Sequence, residues 1–384
     1  MTNLDCVVLA AGASSRMGVW KLLLPWQGLT LLESVVAKVT SEGCRALVVV
    51  GSREAEVRRR LTGPGVVIVA NPAWQTGLFS SVRRGAAQVT TDGFFVTLAD
   101  LPPGRLPLFD GLLNVRKATP QNPRPRAFRS GSRAQPGHPV LFDAEVAAVL
   151  QGFDDNHTMR DVWAHLPPAL WYEGPSLSQD FDVPADYPGG GRPLAVLVTG
   201  SPGSGKTEAL GVLAQSLAAR GVKFVGVRQP AVDRSAGGPA PGYDLEICGL
   251  AQAGRWPLAR RHAFPEPTLT LGPYSFDPSL FARAAQAVRE GLESGAEVFV
   301  LDEVGRLELD REQGLADALN QGLAATRVVP VVSVRADRRE VLGARLESQG
   351  FGVVWLDLDR LAGGWQASVE SLEAAVQVGL AARA

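Results

Sequence analysis

A glycine-rich motif in the middle of the chain places the strongest constraint on what the chain can fold into. The stretch LVTGSPGSGKTEAL, residues 197–210 of 384, satisfies the pattern G-x-x-x-x-G-K-[ST]. An apolar strand pattern precedes the motif and a helical pattern follows it, which is the context of a phosphate-binding loop. Because such a loop follows the first strand of its domain, the residues before it are predicted to form a domain of their own.

Length and composition agree with two globular domains. At about 150 residues per domain the chain allows two or three, and 46% of its residues are hydrophobic. The formal net charge is −1 and the basic residues are scattered, so we expect no nucleic acid partner. Cys6, Cys44 and Cys248 are isolated in the sequence, which favours a reducing cytoplasm over a disulfide framework or a zinc site. The apolar run 6–11 is too short to cross a membrane and is predicted to be a strand.

Apolar strands alternate with amphipathic helices in both halves, which is typical of α/β domains with mainly parallel sheets. The stretch VPADYPGGGRP (183–193) is too rich in glycine and proline to hold a regular element. We therefore predict two three-layer α/β domains, a Rossmann-like domain at 1–187 and a P-loop domain at 194–384, with a linker at 188–193. The predicted strands are CVVLA, ALVVVG, VVIVAN, FFVTLAD and HPVLF, then LAVLVTG, KFVGV, VFVLDEV, VVPVVSV and GVVWLD.

A second irregular stretch lies inside the first half. The sequence TPQNPRPRAFRSGSRAQPG (119–137) is rich in proline and arginine, and the strand HPVLF follows it directly. It is predicted to be a long mobile loop of the first domain rather than a linker between domains.

The glycine-rich motif predicts a nucleotide site in the second half. Backbone N–H groups of such a loop surround phosphates, Lys206 neutralises the β and γ phosphates, and the Thr207 hydroxyl joins Mg²⁺. The predicted loop residues are Gly200, Ser201, Pro202, Gly203, Ser204, Gly205, Lys206 and Thr207. The alternative is a glycine-rich turn that binds no ligand.

Two adjacent acidic residues lie at the carboxyl end of a later apolar strand, in the stretch FVLDEVGRLEL. Asp302 is placed to hold Mg²⁺, and Glu303 is placed to orient or deprotonate an attacking water. Solvated acids at a strand end are the alternative interpretation. That alternative is weakened by the phosphate-binding loop in the same half.

The second half resembles a known enzyme family. DEVGRLEL is similar to the DEIGxME signature of small P-loop nucleoside-triphosphatases first described from thermophiles, with Leu307 where the family usually has methionine. The segments PGYDLEICGLAQAGRWPLARR and LGPYSFDPSLFARAA are similar to the central region of that family. The resemblance implies Mg²⁺-dependent hydrolysis of nucleoside triphosphates, ATP or GTP, with little base preference. Arg260 or Arg335 is a candidate to assist hydrolysis. A structural or solvent-exposed role explains either arginine equally well.

A second glycine-containing loop follows the first strand of the chain. LAAGASSRMGVWK (residues 9–21) can surround a triphosphate with backbone amides while Arg16 and Lys21 neutralise its charge. A flexible surface turn with two solvated cations is an equal alternative from these residues alone. The residues predicted to contact the nucleotide here are Leu9, Ala10, Ala11 and Gly12.

The whole first half resembles the molybdenum cofactor cytidylyltransferases, within the wider nucleotidyltransferase superfamily. Besides LAAGxSSRMGxxK, the ordered blocks are NPAWQTGLFSSV, LADLPP, GHPVLF and QDFDVPADY. The resemblance implies transfer of CMP from CTP to the terminal phosphate of molybdopterin, with release of pyrophosphate. The sequence departs from the family at DNHTMR (155–160) and in the arginine-rich insertion before GHPVLF.

Several polar residues of the first half are candidates for this chemistry. Asp100 at the end of FFVTLAD is the best Mg²⁺ ligand, because a carboxylate at that end of a strand faces the site in an open α/β sheet. Asp182 is a second metal candidate, equally explained as part of a structural turn. His138 either contacts the pterin or packs beside Pro139. The predicted contacts to base or ribose are Asn71, Ser80 and Ser81, with helix initiation as the alternative for Ser80.

Two alternatives to this assignment remain open. The first domain could transfer GMP from GTP, although relatives with that activity tend to have Ala-Gly-Gly where this chain has Ala10-Ala11-Gly12. The second domain could be a nucleotide-gated module that delivers cofactor to a molybdoenzyme or to its maturation factor, with slow hydrolysis as a timer. Neither alternative requires a nucleic acid or a membrane.

Overall fold

The structure of the chain, a computed structural model, contains two compact units. It describes residues 4–14, 17–51, 53–103, 109–120, 126–174, 184–187, 192–232, 240–250, 253–261, 269–325 and 327–383. The first unit comprises Met1–Leu23 and Thr30–Asp182, and the second comprises Leu24–Leu29 and Val183–Ala384. Residues 188–191 of the predicted linker lie outside the described residues.

The strands of residues 5–172 include one seven-stranded mixed sheet. In chain order the strands are β1 (Asp5–Ala10), β2 (Pro25–Trp26), β3 (Leu29–Thr30), β4 (Arg45–Val50), β5 (Val66–Ala70), β6 (Gly93–Leu98), β7 (Ala127–Gly131), β8 (Pro136–Asp143) and β9 (Leu170–Tyr172). The sheet order is β5-β4-β1-β6-β8-β7-β9, while β2 and β3 form a separate pair. Strands β5, β4, β1 and β6 are parallel, β8 is antiparallel to β6 and β7, and β9 is parallel to β7.

Helices connect the strands of this sheet. They are α1 (Leu31–Ser41), α2 (Glu54–Arg60), α3 (Leu78–Ala86), α4 (Asp110–Ala118), α5 (Glu145–Gln151) and α6 (Met159–His165). Helix α1 begins with a capping box, in which Thr30 and Glu33 satisfy each other's backbone N–H groups. One core cluster joins strand residues such as Val7 and Phe94 to Val82 of α3 and Val162 of α6.

The long loop predicted at residues 119–137 is wrong in part. Residues 127–131 form β7, which pairs with β8 on one side and with β9 on the other. Phe128 is fully buried in this strand, so packing outweighs the proline- and arginine-rich composition around it. Residues 121–125 of that stretch lie outside the described residues.

A nine-stranded sheet forms the centre of the second unit. Its strands are β10 (Leu194–Thr199), β11 (Phe224–Arg228), β12 (Gly242–Gly249), β13 (Gly254–Arg261), β14 (Leu269–Leu271), β15 (Tyr274–Phe276), β16 (Val298–Val304), β17 (Val329–Val334) and β18 (Gly352–Asp357). The sheet order is β14-β15-β13-β12-β11-β16-β17-β10-β18. Neighbours from β11 to β18 in this order are parallel, and those from β14 to β11 are antiparallel. The predicted α/β class with mainly parallel sheets is therefore confirmed, with an antiparallel extension that the sequence patterns did not indicate.

The helices of the second unit pack on a core of strand residues. They are α7 (Lys206–Ala219), α8 (Pro278–Glu293), α9 (Arg306–Asp310), α10 (Ala316–Ala324), α11 (Arg339–Ser348) and α12 (Gly364–Ala381). Helix α8 begins where the Asp277 side chain accepts a hydrogen bond from the backbone N–H of Ser279, with Pro278 in the first turn. The fully buried Phe299 and Leu301 of β16 belong to the core against which α8 and α10 pack. None of the helices described is both long and apolar enough to cross a lipid bilayer.

Candidate active sites

The first candidate site lies at the carboxyl end of β6. The Lys21 ammonium is 2.7 Å from the Asp100 carboxylate, and the two side chains are 12% and 21% exposed. Strands β1 and β6 are adjacent and parallel, so the loop after β1 and the residues after β6 meet at the same edge of the sheet. The predicted pair of a cation and a carboxylate therefore comes together in the fold.

Asp100 keeps one oxygen available for a cation. Its Oδ1 is buried and has no hydrogen-bond partner in the described part of the chain, while Oδ2 contacts Lys21. Mg²⁺ in nucleotide enzymes is commonly held by one or two carboxylates together with substrate phosphates. The orphaned oxygen therefore fits the predicted role in Mg²⁺ binding. Arg16 and Asp182, the other predicted charged groups, lie outside the described residues.

The loop after β1 borders a small pocket. The Trp20 indole N–H donates a hydrogen bond to the carbonyl of Gly12 at 3.2 Å, and the Arg53 guanidinium lies 5.1 Å from the Trp20 ring centre. A side chain at Gly51 would come within 2.7 Å of the Ala11 carbonyl, so the two loops approach closely there. The pocket is lined by Ala10, Ala11, Gly12, Trp20, Val50, Gly51, Arg53 and Val57.

Asn71, Ser80 and Ser81 form a buried hydrogen-bond network. The Asn71 amide donates to the hydroxyls of Ser80 and Ser81 at 2.9 and 3.0 Å, and its carbonyl accepts from the backbone N–H of Ala73. The three side chains are each 4% exposed or less. These contacts fix the turn before α3, and direct reading of a base by the same groups stays a prediction.

His138 lies beside the Lys21–Asp100 site. Its Nδ1 is 3.3 Å from the Val96 carbonyl of β6. Burial lowers the pKa of His138, and the Arg129 charge acts in the same direction, while the Asp100 charge opposes both. His138 is therefore a neutral imidazole at neutral pH, able to donate one hydrogen bond and accept another.

The second candidate site is the phosphate-binding loop between β10 and α7. A side chain at Gly205, which has φ of 92°, would come within 2.2 Å of the Trp365 ring. The Lys206 ammonium donates to the carbonyls of Gly200 and Ser201, both at 3.0 Å. The Asp359 carboxylate accepts from the backbone N–H and the hydroxyl of Ser201. Backbone carbonyls therefore hold the Lys206 ammonium in place, and the Asp359 carboxylate holds the loop at Ser201.

Asp302 links the loop to the neighbouring strand. Its carboxylate accepts from the Thr207 hydroxyl at 2.7 Å and from the Ser333 hydroxyl at 2.5 Å. The backbone N–H of Gln229 donates to the same carboxylate at 3.2 Å. A hydroxyl and a carboxylate in contact at a phosphate-binding loop are oxygen donors of the kind that Mg²⁺ prefers. Thr207 and Asp302 thus fit their predicted metal role.

Glu303 is held in an unusual backbone conformation. The pairing of β16 with β17 is irregular between Leu301 and Val304, and Glu303 has φ of 65° there. Its backbone N–H donates to the Ser333 hydroxyl at 2.7 Å, which fixes this conformation. Burial, reinforced by the Asp302 charge, raises the pKa of Glu303 to about 7. The strand irregularity turns the second acid of the pair away from the regular ladder.

The two arginines that the sequence singled out have different surroundings. Arg260 pairs with Asp244 at 2.7 Å and donates to two backbone carbonyls, which is a structural role in the antiparallel extension. Arg335 follows β17, is 56% exposed and lies 3.5 Å from Asp337. Its charge opposes the rise in the pKa of Glu303, so Arg335 is the arginine near Glu303.

Sequence reasoning did not identify Ser333, Asp359 or Trp365. Ser333 lies within an otherwise apolar strand, VVPVVSV, and a buried hydroxyl in such a run was the available signal. Asp359 and Trp365 follow β18, and no local pattern connects them with a loop about 160 residues earlier. Within the described residues, no group of three His, Cys, Asp or Glu residues is arranged to hold a metal by itself.

Comparisons with known proteins match two separate stretches of the chain. The family profile of the MobA-like NTP transferase domain matches residues 6–169, and that of the NTPase family matches residues 195–361.

Several curated proteins are similar to part of the chain. A molybdenum cofactor cytidylyltransferase of Escherichia coli is 32% identical over 142 residues, 37% of this chain and 70% of the relative. A nicotine blue oxidoreductase of Paenarthrobacter nicotinovorans is 34% identical over 155 residues, 37% of this chain and 74% of the relative. A molybdenum cofactor guanylyltransferase of Xanthomonas euvesicatoria is 38% identical over 96 residues, 25% of this chain and 46% of the relative. The chain therefore belongs to the MobA-like NTP transferase family, with an NTPase-family domain fused after the transferase domain.

Proposed function

We propose that the first unit transfers CMP from CTP to the terminal phosphate of molybdopterin and releases pyrophosphate. The observation that carries the proposal is the contact of Lys21 with Asp100 at the sheet edge that also bears the loop Leu9–Gly12. Similarity to a molybdenum cofactor cytidylyltransferase supports the choice of substrates. The isolated cysteines support a cytoplasmic location for this reaction.

The barrier to this reaction is mainly repulsion between anions. An oxygen of the acceptor phosphate attacks the α-phosphorus of CTP, and the bond to pyrophosphate breaks. Lys21 neutralises charge on the triphosphate, and backbone N–H groups of the loop after β1 align it. Mg²⁺ bound at Asp100 would supply further charge neutralisation on the phosphates.

Guanylyl transfer from GTP is the second candidate for the first unit. The observation that favours it is similarity to a molybdenum cofactor guanylyltransferase, 38% identical over 96 residues. The relative of Escherichia coli matches a longer stretch, 142 residues, and the sequence Ala10-Ala11-Gly12 also favours CTP. We therefore assign CTP as the preferred nucleotide.

We further propose that the second unit hydrolyses ATP or GTP in the presence of Mg²⁺. Thr207 and Asp302 would hold the metal, and Lys206 would contact the β and γ phosphates. Glu303, with its pKa raised to about 7, is suited to orient the attacking water and accept its proton. A delivery module gated by nucleotide would instead hydrolyse slowly alone and faster when a molybdoenzyme is added.

Product identification tests both assignments together. The purified chain is incubated with each nucleoside triphosphate, Mg²⁺ and molybdopterin, and the products are separated by chromatography and identified by mass. We expect molybdopterin cytosine dinucleotide and pyrophosphate from CTP, and nucleoside diphosphate with inorganic phosphate from ATP or GTP. Absence of any dinucleotide product would contradict the transferase assignment. Absence of diphosphate release would contradict the hydrolase assignment.

A further inference from the structure

An arginine in the first unit is held between two tryptophan rings. Arg129 lies on β7, with Trp171 opposite it on β9 and Trp163 on α6. Its guanidinium carbon is 4.9 Å from the Trp163 ring centre and 5.0 Å from the Trp171 ring centre. Cation–π contacts of this kind stabilise a cation against an aromatic ring face. The two rings therefore hold the guanidinium in place.

Arg129 has no anionic partner among the described residues. Its Nε is buried without a hydrogen-bond acceptor, and burial lowers the pKa of its guanidinium. Arg126, three residues earlier, contacts the buried Asp143 carboxylate at 2.7 Å, and Arg116 contacts the same carboxylate at 2.9 Å. A partly desolvated cation without a counter-ion among the described residues is costly, so the contrast with its neighbours points to a bound anion as its partner.

The geometry of Arg129 restricts what kind of anion can bind. The guanidinium carbon lies over both indole rings, and indoles offer no anionic acceptor to the guanidinium N–H groups, so these groups are the donors left for a ligand. A planar fork of N–H donors matches two oxygens of a phosphate or a carboxylate. A tetrahedral phosphate satisfies this fork and leaves its other oxygens for further contacts.

The position of β7 in the sheet places Arg129 on the acceptor side of the site. In the order β5-β4-β1-β6-β8-β7-β9, the loop after β1 and the pocket bordered by Arg53 after β4 lie to one side of β6. Strands β8, β7 and β9 lie to the other side, and Asp100 follows β6 between the two sides. His138 on β8 is affected by the charges of both Asp100 and Arg129. A nucleotide on the β1–β4 side therefore leaves the Arg129 side for the second substrate.

We propose that Arg129 binds the phosphate monoester of the acceptor, so that this phosphate is held facing the α-phosphate of the nucleotide. The proposal rests on the transferase function proposed above, in which molybdopterin provides that monoester. Arg129 contacts the phosphate through its in-plane N–H groups, and Trp163 and Trp171 are positioning residues that orient the guanidinium. CTP binding does not involve Arg129.

Steady-state kinetics of Arg129→Met test this proposal. Methionine keeps an apolar chain between the two indoles but removes the charge and the donors. We expect the KM for molybdopterin to rise about tenfold or more, the loss typical of a charged hydrogen-bonded contact. The KM for CTP in dinucleotide formation, which reports the first unit alone, should stay within about twofold. Arg129→Lys keeps the charge without the planar fork and should give an intermediate KM.

The control is Arg133→Gln, which removes a charge from an exposed residue between β7 and β8. It should leave both constants unchanged. Thermal unfolding monitors folding of each variant, and Trp171→Leu provides a second variant that keeps the Arg129 charge but removes one ring. Trp171→Leu should raise the KM for molybdopterin less than Arg129→Met does.

The outcomes separate this proposal from the transferase function itself. If the wild-type chain forms no dinucleotide, the transferase assignment fails. If the wild type forms product but folded Arg129→Met keeps its KM for molybdopterin, the role of Arg129 is overturned. Equal weakening of CTP and acceptor binding would also overturn it, because that result indicates a structural role. If Arg129→Met does not fold, an unchanged KM in folded Trp171→Leu counts against the proposal.

Discussion

Both units place a lysine and an aspartate near the carboxyl end of parallel strands, but the two pairs are held differently. In the first unit, Lys21 contacts Asp100 directly at 2.7 Å. In the second, Lys206 contacts the backbone carbonyls of Gly200 and Ser201, while hydroxyls hold Asp302.

This difference shows two ways of preparing a site for phosphate. The glycine-rich loop of the second unit is fixed by backbone geometry and by contacts from Asp302 of β16 and Asp359 after β18. The Asp302 carboxylate is oriented by the hydroxyls of Thr207 and Ser333. In the first unit, the charges of Lys21 and Asp100 balance each other, and Asp100 keeps an unpartnered oxygen. We therefore expect substitutions in the second unit to lower kcat most strongly. In the first unit, we expect the size of the effect on the rate to vary more with the nucleotide and the acceptor.

Among substitutions of the acidic residues, the largest effect is expected for Glu303→Gln. Removing the proton acceptor for the attacking water should lower kcat for ATP or GTP hydrolysis about 10³-fold, whereas nucleotide affinity should stay within a few-fold. Single-turnover hydrolysis and equilibrium binding of a fluorescent nucleotide separate the two quantities. The matched control is Glu312→Gln, at an exposed residue that also has positive φ, 52°. Loss of nucleotide binding in folded Glu303→Gln would show that Glu303 is structural or a metal ligand.

A smaller effect is expected in the first unit for Asp100→Asn. The amide keeps the shape of the side chain but lacks the charge that Mg²⁺ binding requires, so CMP transfer should fall by a factor on the order of 10². The rate of dinucleotide formation provides the measurement, and hydrolysis by the second unit serves as an internal control. Asp92→Asn, at a side chain that is 80% exposed, should have no effect on transfer. Normal transfer by Asp100→Asn would remove Asp100 from the site.

Ser333→Ala sharpens the comparison, because the described residues of the first unit place no such hydroxyl against Asp100. Ser333 donates to Asp302 and accepts from the backbone N–H of Glu303. Its removal should lower kcat for hydrolysis about 20-fold, in line with loss of a hydrogen bond to a charged group. Ser348→Ala, at an exposed helix end, is the matched control. An unchanged kcat would mean that the orientation of the acids does not depend on Ser333.

The smallest effect concerns the nucleobase. CTP should support dinucleotide formation with kcat/KM about tenfold above GTP, a difference of about 1.4 kcal/mol in transition-state stabilisation. The second unit should distinguish ATP from GTP by much less. A tenfold preference for GTP in dinucleotide formation would instead support guanylyl transfer as the activity of the first unit.

Elements predicted from local sequence patterns form where the patterns indicate, whereas most contacts between distant segments were not predicted. The strand LAVLVTG, the loop that follows it and the strand VFVLDEV each form where their patterns indicate. The 2.7 Å contact of Thr207 with Asp302 follows because β16 and β10 each neighbour β17 in a parallel sheet. Strand β7 was hidden by proline and arginine, because its stability comes from pairing with β8 and β9 rather than from its own composition.

The same distinction holds for individual side chains. Lys21 and Asp100 could be predicted because Lys21 ends the glycine-containing block after β1 and Asp100 lies just after β6. Ser333 and the pair of rings around Arg129 could not, because their roles depend on neighbours that the fold brings from other elements. Asn71, Ser80 and Ser81 were predicted together from one sequence block, but their mutual hydrogen bonds depend on the turn before α3. Local pattern identifies the loops of a site, and packing decides how its side chains are paired.

The central claim is that the chain contains two chemically separate nucleotide sites, and Lys206→Ala tests it most directly. Dinucleotide formation from CTP and hydrolysis of ATP or GTP are measured on the same preparation, with Lys223→Ala at an exposed lysine as the control. We expect hydrolysis to be abolished because the phosphates lose their lysine, and CMP transfer to stay within about twofold of wild type. Loss of both activities in a folded Lys206→Ala chain would contradict the account.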